Sequence, residues 1–259
     1  MISKVKSLSE VLSKIPLQVW NKIIKKEPEW IYMHKFLKRY GFGKFAVLMI
    51  VAGLNDYQLK GKAEKAYWLP LSNLLENKPV PEHPEELINI LEGFYSKERF
   101  SNAKIKRLRR FLSSSLAQEL WNSKPEDMAK NFIKIWYRLA EIMKQNRNAK
   151  TITFAMKCLG ISLLMVGETN FNFEKIPIPV DYRVKKFTKR LGVIFEDDDD
   201  IRDFWNAVLE ELRKEVEINM IHLDSLIWQI GTLDKDKIIE YFSELGLESV
   251  GKELVEILR

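Results

Sequence analysis

A chain of 259 residues, 46% of them hydrophobic, can bury a sizeable core in one or two lobes. No apolar run approaches bilayer length and no signal-peptide pattern precedes the body, so an intracellular, cytoplasmic protein without a membrane partner is expected. The single cysteine, Cys158, excludes an internal disulfide framework and any zinc or iron–sulfur centre needing several thiolates. His34, His83 and His222 are scattered without metal-ligand spacing, so neither a metal site nor a cofactor is expected. The net charge of +6 favours a polyanionic partner, though many ordinary proteins are as basic.

Along the chain the pattern is helical almost throughout, and an all-α fold is expected. Apolar stripes run from Phe45 to Leu54, from Met128 to Met143 and from Ile152 to Met165. Phe204, Val208, Leu212 and Val216 continue the theme at every fourth residue. Strand-like alternation is scarce and Asn-Gly or Asp-Gly hairpin signals are absent. Breaks fall at GFGK (41–44), at NKPVPEHPEE (77–86), at SKPED (123–127) and at GETNFNFEKIPIP (167–179). The charge is uneven. Lys97 to Arg110 holds seven basic residues and one acid, whereas FEDDDD (195–200) is acidic. The basic stretch reads equally well as a phosphate-binding surface or as a solvated helix face. Abundant Lys and Glu with few Gln suggest a heat-adapted source.

Two residues stand out from this background. Lys150 opens the helix AKTITFAMK, where a positive side chain opposes the helix dipole. Its plain reading is a solvated surface lysine. The chemical reading is an amine kept neutral by its positive, partly desolvated surroundings, as imine formation requires. Asp181 follows the run KIPIPV, whose prolines lack N–H groups and hold the preceding residues out of helix. It precedes the amphipathic helix YRVKKFTKRL, so its plain reading is an N-cap. A cap and a catalyst are compatible, because the stiff run fixes where the carboxylate points.

The segment NAKTITFAMK resembles the second half of the helix-hairpin-helix element of DNA glycosylases. Together with IPIPVDYRV and IHLDSLIWQIG, in that order, it resembles the archaeal 8-oxoguanine DNA glycosylase family (AGOG), a bifunctional branch of that superfamily. Weaker similarity reaches back through EPEWIYMHKFLKRYG and LNDYQLKGKAEKAYW. The resemblance implies a two-lobed all-helical fold with DNA and an extruded base in the cleft between the lobes. Residues 1–62 with 176–259 would form one lobe. Residues 63–175 would form the other, ending in the hairpin at about 128–165. The hairpin turn lacks the usual glycine, as this branch does.

By motif, Lys150 matches the Schiff-base lysine and Asp181 the essential aspartate. The implied reaction is base excision followed by strand cleavage through β-elimination. Phe154, Trp228 and Trp68 match rings around the flipped base, with Tyr67 replacing Trp68 if the register shifts by one. Asp224 matches an acceptor for purine N–H groups and Pro179 a backbone carbonyl at the base. Lys144 and Arg147, in the hairpin, match positions beside the DNA backbone. Two positions depart from the pattern: Glu29 stands where the family has glutamine, and Asp56 where it has a small hydroxyl residue. A carboxylate only accepts hydrogen bonds, whereas an amide also donates, so the departures bear on base selectivity. The expected partner is damaged DNA, with the protein a monomer associated with the nucleoid. The alternatives are a glycosylase for a different oxidised base, and a helical DNA-binding protein that has lost catalysis.

Overall fold

The computed structural model describes residues 2–259, and no strand occurs among them. The first helices are α1 (Ile2–Leu12), α2 (Leu17–Lys25), α3 (Pro28–Met33), α4 (Leu37–Tyr40) and α5 (Phe42–Asn55). A π-helical turn, Glu64–Trp68, leads into α6 (Leu69–Glu76). Then come α7 (Pro84–Tyr95), α8 (Ser101–Leu112), α9 (Ser115–Trp121), α10 (Pro125–Lys130), α11 (Phe132–Met143) and α12 (Lys150–Met165). The chain closes with α13 (Tyr182–Arg190), α14 (Asp198–Leu212), α15 (Met220–Ile230), α16 (Lys235–Glu244) and α17 (Glu248–Ile257).

The helices sort into two compact units, one formed by residues up to Glu27 with Glu174–Arg259, the other by Pro28–Phe173. The second boundary falls at 173/174, where the resemblance implies 175/176. The first lies earlier: residues 28–62, expected with the N-terminal lobe, pack inside the central unit. The reason is α5. Its side chains are buried from Phe45 to Asn55, and a helix apolar on every side must lie inside a core. Its main partner is α12, itself buried from Ile152 to Leu163. Gly53 makes that contact close: a Cβ there would lie 2.8 Å from Ala155 Cα and 2.9 Å from Cys158 Sγ. Any side chain at position 53 would push α12 away. The apolar stripe from Met128 to Met143 is also two helices, with Asn131 ending α10.

In the other unit α1 packs on α14 and α17, α2 on α15, and α13 on α15. Phe187 and Trp205 stack with ring centroids 6.3 Å apart, and the Trp205 indole N–H donates to Thr188 Oγ1 at 2.9 Å. Val184, Phe187 and Leu191 are buried, so the amphipathic reading of this segment holds. The acidic run begins α14: Asp197 accepts from the Asp199 and Asp200 amides, and three further aspartates sit in the positive first turn. Val216 falls beyond the end of α14.

Candidate active site

The candidate residues fall in both units. In the central unit α11 and α12 form the hairpin. Its turn is a Schellman motif, with Gln145 N–H donating to the Ala140 carbonyl and Lys144 N–H to the Glu141 carbonyl, both at 3.0 Å. The left-handed position of that motif, usually glycine, is occupied by Lys144 at φ 53°, ψ 46°. Side chains brace the turn instead. Trp136 Nε1 donates to the Arg147 carbonyl at 2.8 Å, and Arg107 Nη1 donates to Gln145 Oε1 at 2.7 Å. Lys144 and Arg147 are both exposed, and the Arg147 guanidinium lies 5.0 Å from the Tyr137 ring centroid.

Lys150 is the first residue of α12 and half-buried. Among the described residues its Nζ has no ion pair or hydrogen bond. Phe154 follows one turn on, 8% exposed. Lys157 comes seven residues after Lys150, close to two full turns and on the same helix face. It is 1% exposed, with its Nζ 5.8 Å from the Phe154 ring centroid. Lys157 is not among the residues that the resemblance picks out, although its spacing from Lys150 places it on that face. Glu29, on α3, is 2% exposed. Helix α3 packs against both α12 and the π-helical turn that carries Trp68. Trp68 is fully buried, and its indole N–H donates to Asp56 Oδ2 at 2.9 Å. The central unit thus brings Lys150, Phe154, Glu29, Asp56 and Trp68 onto mutually packed elements.

In the other unit Pro179 is buried and Asp181 half-buried. Asp181 does cap α13: its Oδ1 accepts from the Val184 amide at 2.9 Å. The cap holds the carboxylate in place and uses one oxygen. Helix α15 is fixed at its start by a capping box, in which Asn219 Oδ1 accepts from the Ile221 amide and His222 Nδ1 accepts from the Asn219 amide. It carries Asp224, 3% exposed, and Trp228, half-buried, one turn apart. Arg183, two residues after Asp181, lays its guanidinium 3.9 Å from the Trp228 ring centroid and donates to the Trp228 carbonyl at 2.9 Å. Gly231 permits this approach, since a Cβ there would stand 2.8 Å from the Arg183 carbonyl oxygen. The glycine ending WQIG therefore has a steric reason: it lets the Asp181 helix lie against the Trp228 helix.

The basic stretch has mostly internal duties. Lys104 is fully buried beside Glu98, Arg109 is paired with Glu92, and Arg110 Nη1 donates to the Met143 carbonyl at 3.2 Å. Among the described residues no group of three or more His, Cys, Asp or Glu side chains could hold a metal ion. Among the described residues no helix is long and apolar enough to cross a membrane.

The family model described as "AGOG: N-glycosylase/DNA lyase" matches residues 9–256. The chain belongs to the AGOG family. It is accordingly a DNA-repair N-glycosylase with DNA lyase activity, and DNA is its substrate. Among the relatives, an N-glycosylase/DNA lyase of Thermococcus kodakarensis is 30% identical over 72% of this chain and 67% of its own length. One from Nanoarchaeum equitans is 31% identical over 71% of this chain and 73% of its own. The crystal structure of an 8-oxoguanine DNA glycosylase from Pyrobaculum aerophilum, complexed with 8-oxoguanosine, shares the AGOG fold. Its TM-score is 0.71, at 23% identity, covering 89% of this chain and 88% of that one.

Proposed function

We propose that this AGOG member removes 8-oxoguanine from DNA by a Schiff-base mechanism, with Lys150 as nucleophile and Asp181 as the electrostatic partner. One observation carries the reading: the motif lysine opens the second hairpin helix with an amine that no neighbouring acid holds in an ion pair. As the C1′–N9 bond lengthens, positive charge builds at C1′, and a carboxylate fixed by its cap stabilises that charge. The Nζ lone pair forms the C1′–N bond while the base departs with the glycosidic electron pair and is protonated. Loss of the ring oxygen's bond to C1′ gives the imine. Removal of a C2′ proton then expels the 3′ phosphate, and water releases the enzyme. Phe154, Trp228 and Trp68 supply rings around the base, which must leave the stack to be reached. Asp224 accepts from its N–H groups, and the Pro179 carbonyl does the same.

Borohydride tests the amine directly, because it reduces the imine to a permanent link. With an 8-oxoguanine duplex the wild type becomes covalently attached to DNA, whereas Lys150→Gln binds without attachment or cleavage. Asp181→Asn slows base release by about a hundredfold while still binding DNA. Strand cleavage at wild-type rate by Lys150→Gln would overturn the mechanism. Glu29 favours one second reading. A buried carboxylate where the family has an amide alters the donor and acceptor pattern offered to the base. A panel of duplexes with defined oxidised bases decides it: faster release of another purine lesion replaces 8-oxoguanine as the substrate.

A further inference from the structure

Beneath Trp68 lies a set of buried polar groups that the mechanism does not use. Asp56, at the C-terminal end of α5, is 9% exposed and accepts from the Trp68 indole N–H. Lys104 enters from α8 with its side chain fully buried. Its Nζ lies 3.4 Å from Glu98, 5.1 Å from the Tyr57 ring centroid and 5.9 Å from the Tyr67 ring centroid. The Tyr67 hydroxyl donates to the Ala52 carbonyl at 2.7 Å and meets the Tyr95 hydroxyl at 2.8 Å. Arg107, one turn after Lys104, donates to the Leu54 carbonyl at 3.1 Å.

Burying a lysine is costly, and an apolar residue of similar volume would pack there at lower cost. Desolvation lowers the Lys104 pKa, and the charges of Glu98 and Asp56 oppose that effect. The lysine therefore makes sense as a counter-charge. Its ion-pair partner is Glu98, and the negative charge of Asp56, which accepts from the Trp68 indole, acts in the same direction. Trp68 is the last residue of a π-helical turn, an irregular piece of backbone, and its indole N–H is tied to the Asp56 carboxylate.

We propose that Asp56 is a positioning residue: it locks the plane of Trp68 through the indole N–H, and Lys104 supplies the counter-charge that keeps the tether intact. The inference rests on the reading of Trp68 as a base-facing ring. It moves Asp56 from contact with the base to action through Trp68, and it gives the departure from a small hydroxyl residue a purpose. The carboxylate reaches the ring nitrogen and is matched by a buried cation in the same unit.

A double-mutant cycle on the full chain tests it, with two readouts: single-turnover release of the oxidised base, and borohydride trapping at a preformed abasic site, where no base is held. Asp56→Leu, which cannot accept, lowers base release at least about tenfold more than it lowers trapping. Asp56→Asn keeps an acceptor oxygen and stays within about threefold of wild type. Trp68→Phe removes the N–H, so adding Asp56→Leu to it costs less than about twofold more. Lys104→Met, a change of similar volume, lowers base release more than trapping and serves if Asp56→Leu does not fold. Parallel loss of both readouts, equal losses for Asn and Leu, or an additive cycle each overturn the tether. A wild type that releases no oxidised base from the panel instead overturns the proposed function, and the tether with it.

Discussion

His222 shows how one buried side chain ties the site to solution conditions. Burial pushes its pKa down to about 4 from the ordinary 6.5, because the charged ring would lose its hydration. The neutral ring accepts at Nδ1 from the Asn219 amide and has Nε2 3.3 Å from Asn21 Oδ1, so it closes the α15 cap and reaches α2. Between pH 6.5 and about 4 the unfolded chain binds a proton that the folded one refuses. The stabilisation is therefore complete above the unfolded pKa and is lost as pH falls towards the folded one. Its full size is on the order of 3 kcal/mol, at about 1.4 kcal/mol per pH unit. Denaturant unfolding of wild type and His222→Leu at several pH values checks this. The wild-type stability should fall relative to the variant as the pH drops through that window, and a constant difference would refute it. At this scale the sequence was readable where a residue's role is local. Asp181 was legible as a cap because the proline run and the amphipathic helix beside it are contiguous. The Asp56–Trp68 partnership was not, since nothing in the spacing of α5 and the π-helical turn says that they meet.

Among the elements, the hairpin turn carries a conflict between backbone and function. Lys144 sits in the left-handed region, where a side chain costs on the order of 1 kcal/mol and glycine costs nothing. The Schellman bonds and the braces from Trp136 and Arg107 hold it there. Lys144→Gly relieves the strain and loosens the unfolded chain, which leaves a net stabilisation of roughly 0.5 kcal/mol. On the reading that the hairpin meets DNA, the same change removes an exposed cation that binds the strand. Thermal unfolding and duplex affinity should therefore move in opposite directions, with a higher Tm and weaker binding. A variant that loses both shows the lysine to be structural. Periodicity located most helices, including α5, α12 and α14, because each carries an unbroken apolar pattern. It could not divide them between units. A helix buried on all sides, as α5 is, has no single face to show which neighbours it joins, and the close contact at Gly53 exists only in three dimensions.

For the molecule as a whole, the net charge of +6 is a poor guide to where DNA lies, because the densest basic stretch is largely committed elsewhere. Lys104 is buried, Arg107 and Arg110 hold backbone carbonyls, and Arg109 is paired with Glu92. An exposed ion pair of this kind contributes little to stability, but it removes a free cation from the field that a phosphate meets. Arg147 differs. It is exposed, stacked on Tyr137 and Trp136, and has its own carbonyl anchored by the Trp136 indole. A guanidinium held in this way loses little freedom on meeting a phosphate. Counterion release then makes a quantitative distinction. Each phosphate contact contributes about 0.9 to the slope of log affinity against log salt. Arg147→Ala should reduce that slope by about one, weakening binding similarly for damaged and undamaged duplexes. Arg109→Ala should leave the slope within about 0.3 of wild type. Fluorescence anisotropy across a series of salt concentrations, with both duplexes, measures all of these slopes. If Arg109→Ala gives the larger change, the basic face of α8 holds DNA and the Glu92 pair opens on binding; if neither changes it, the phosphates are bound by other cations.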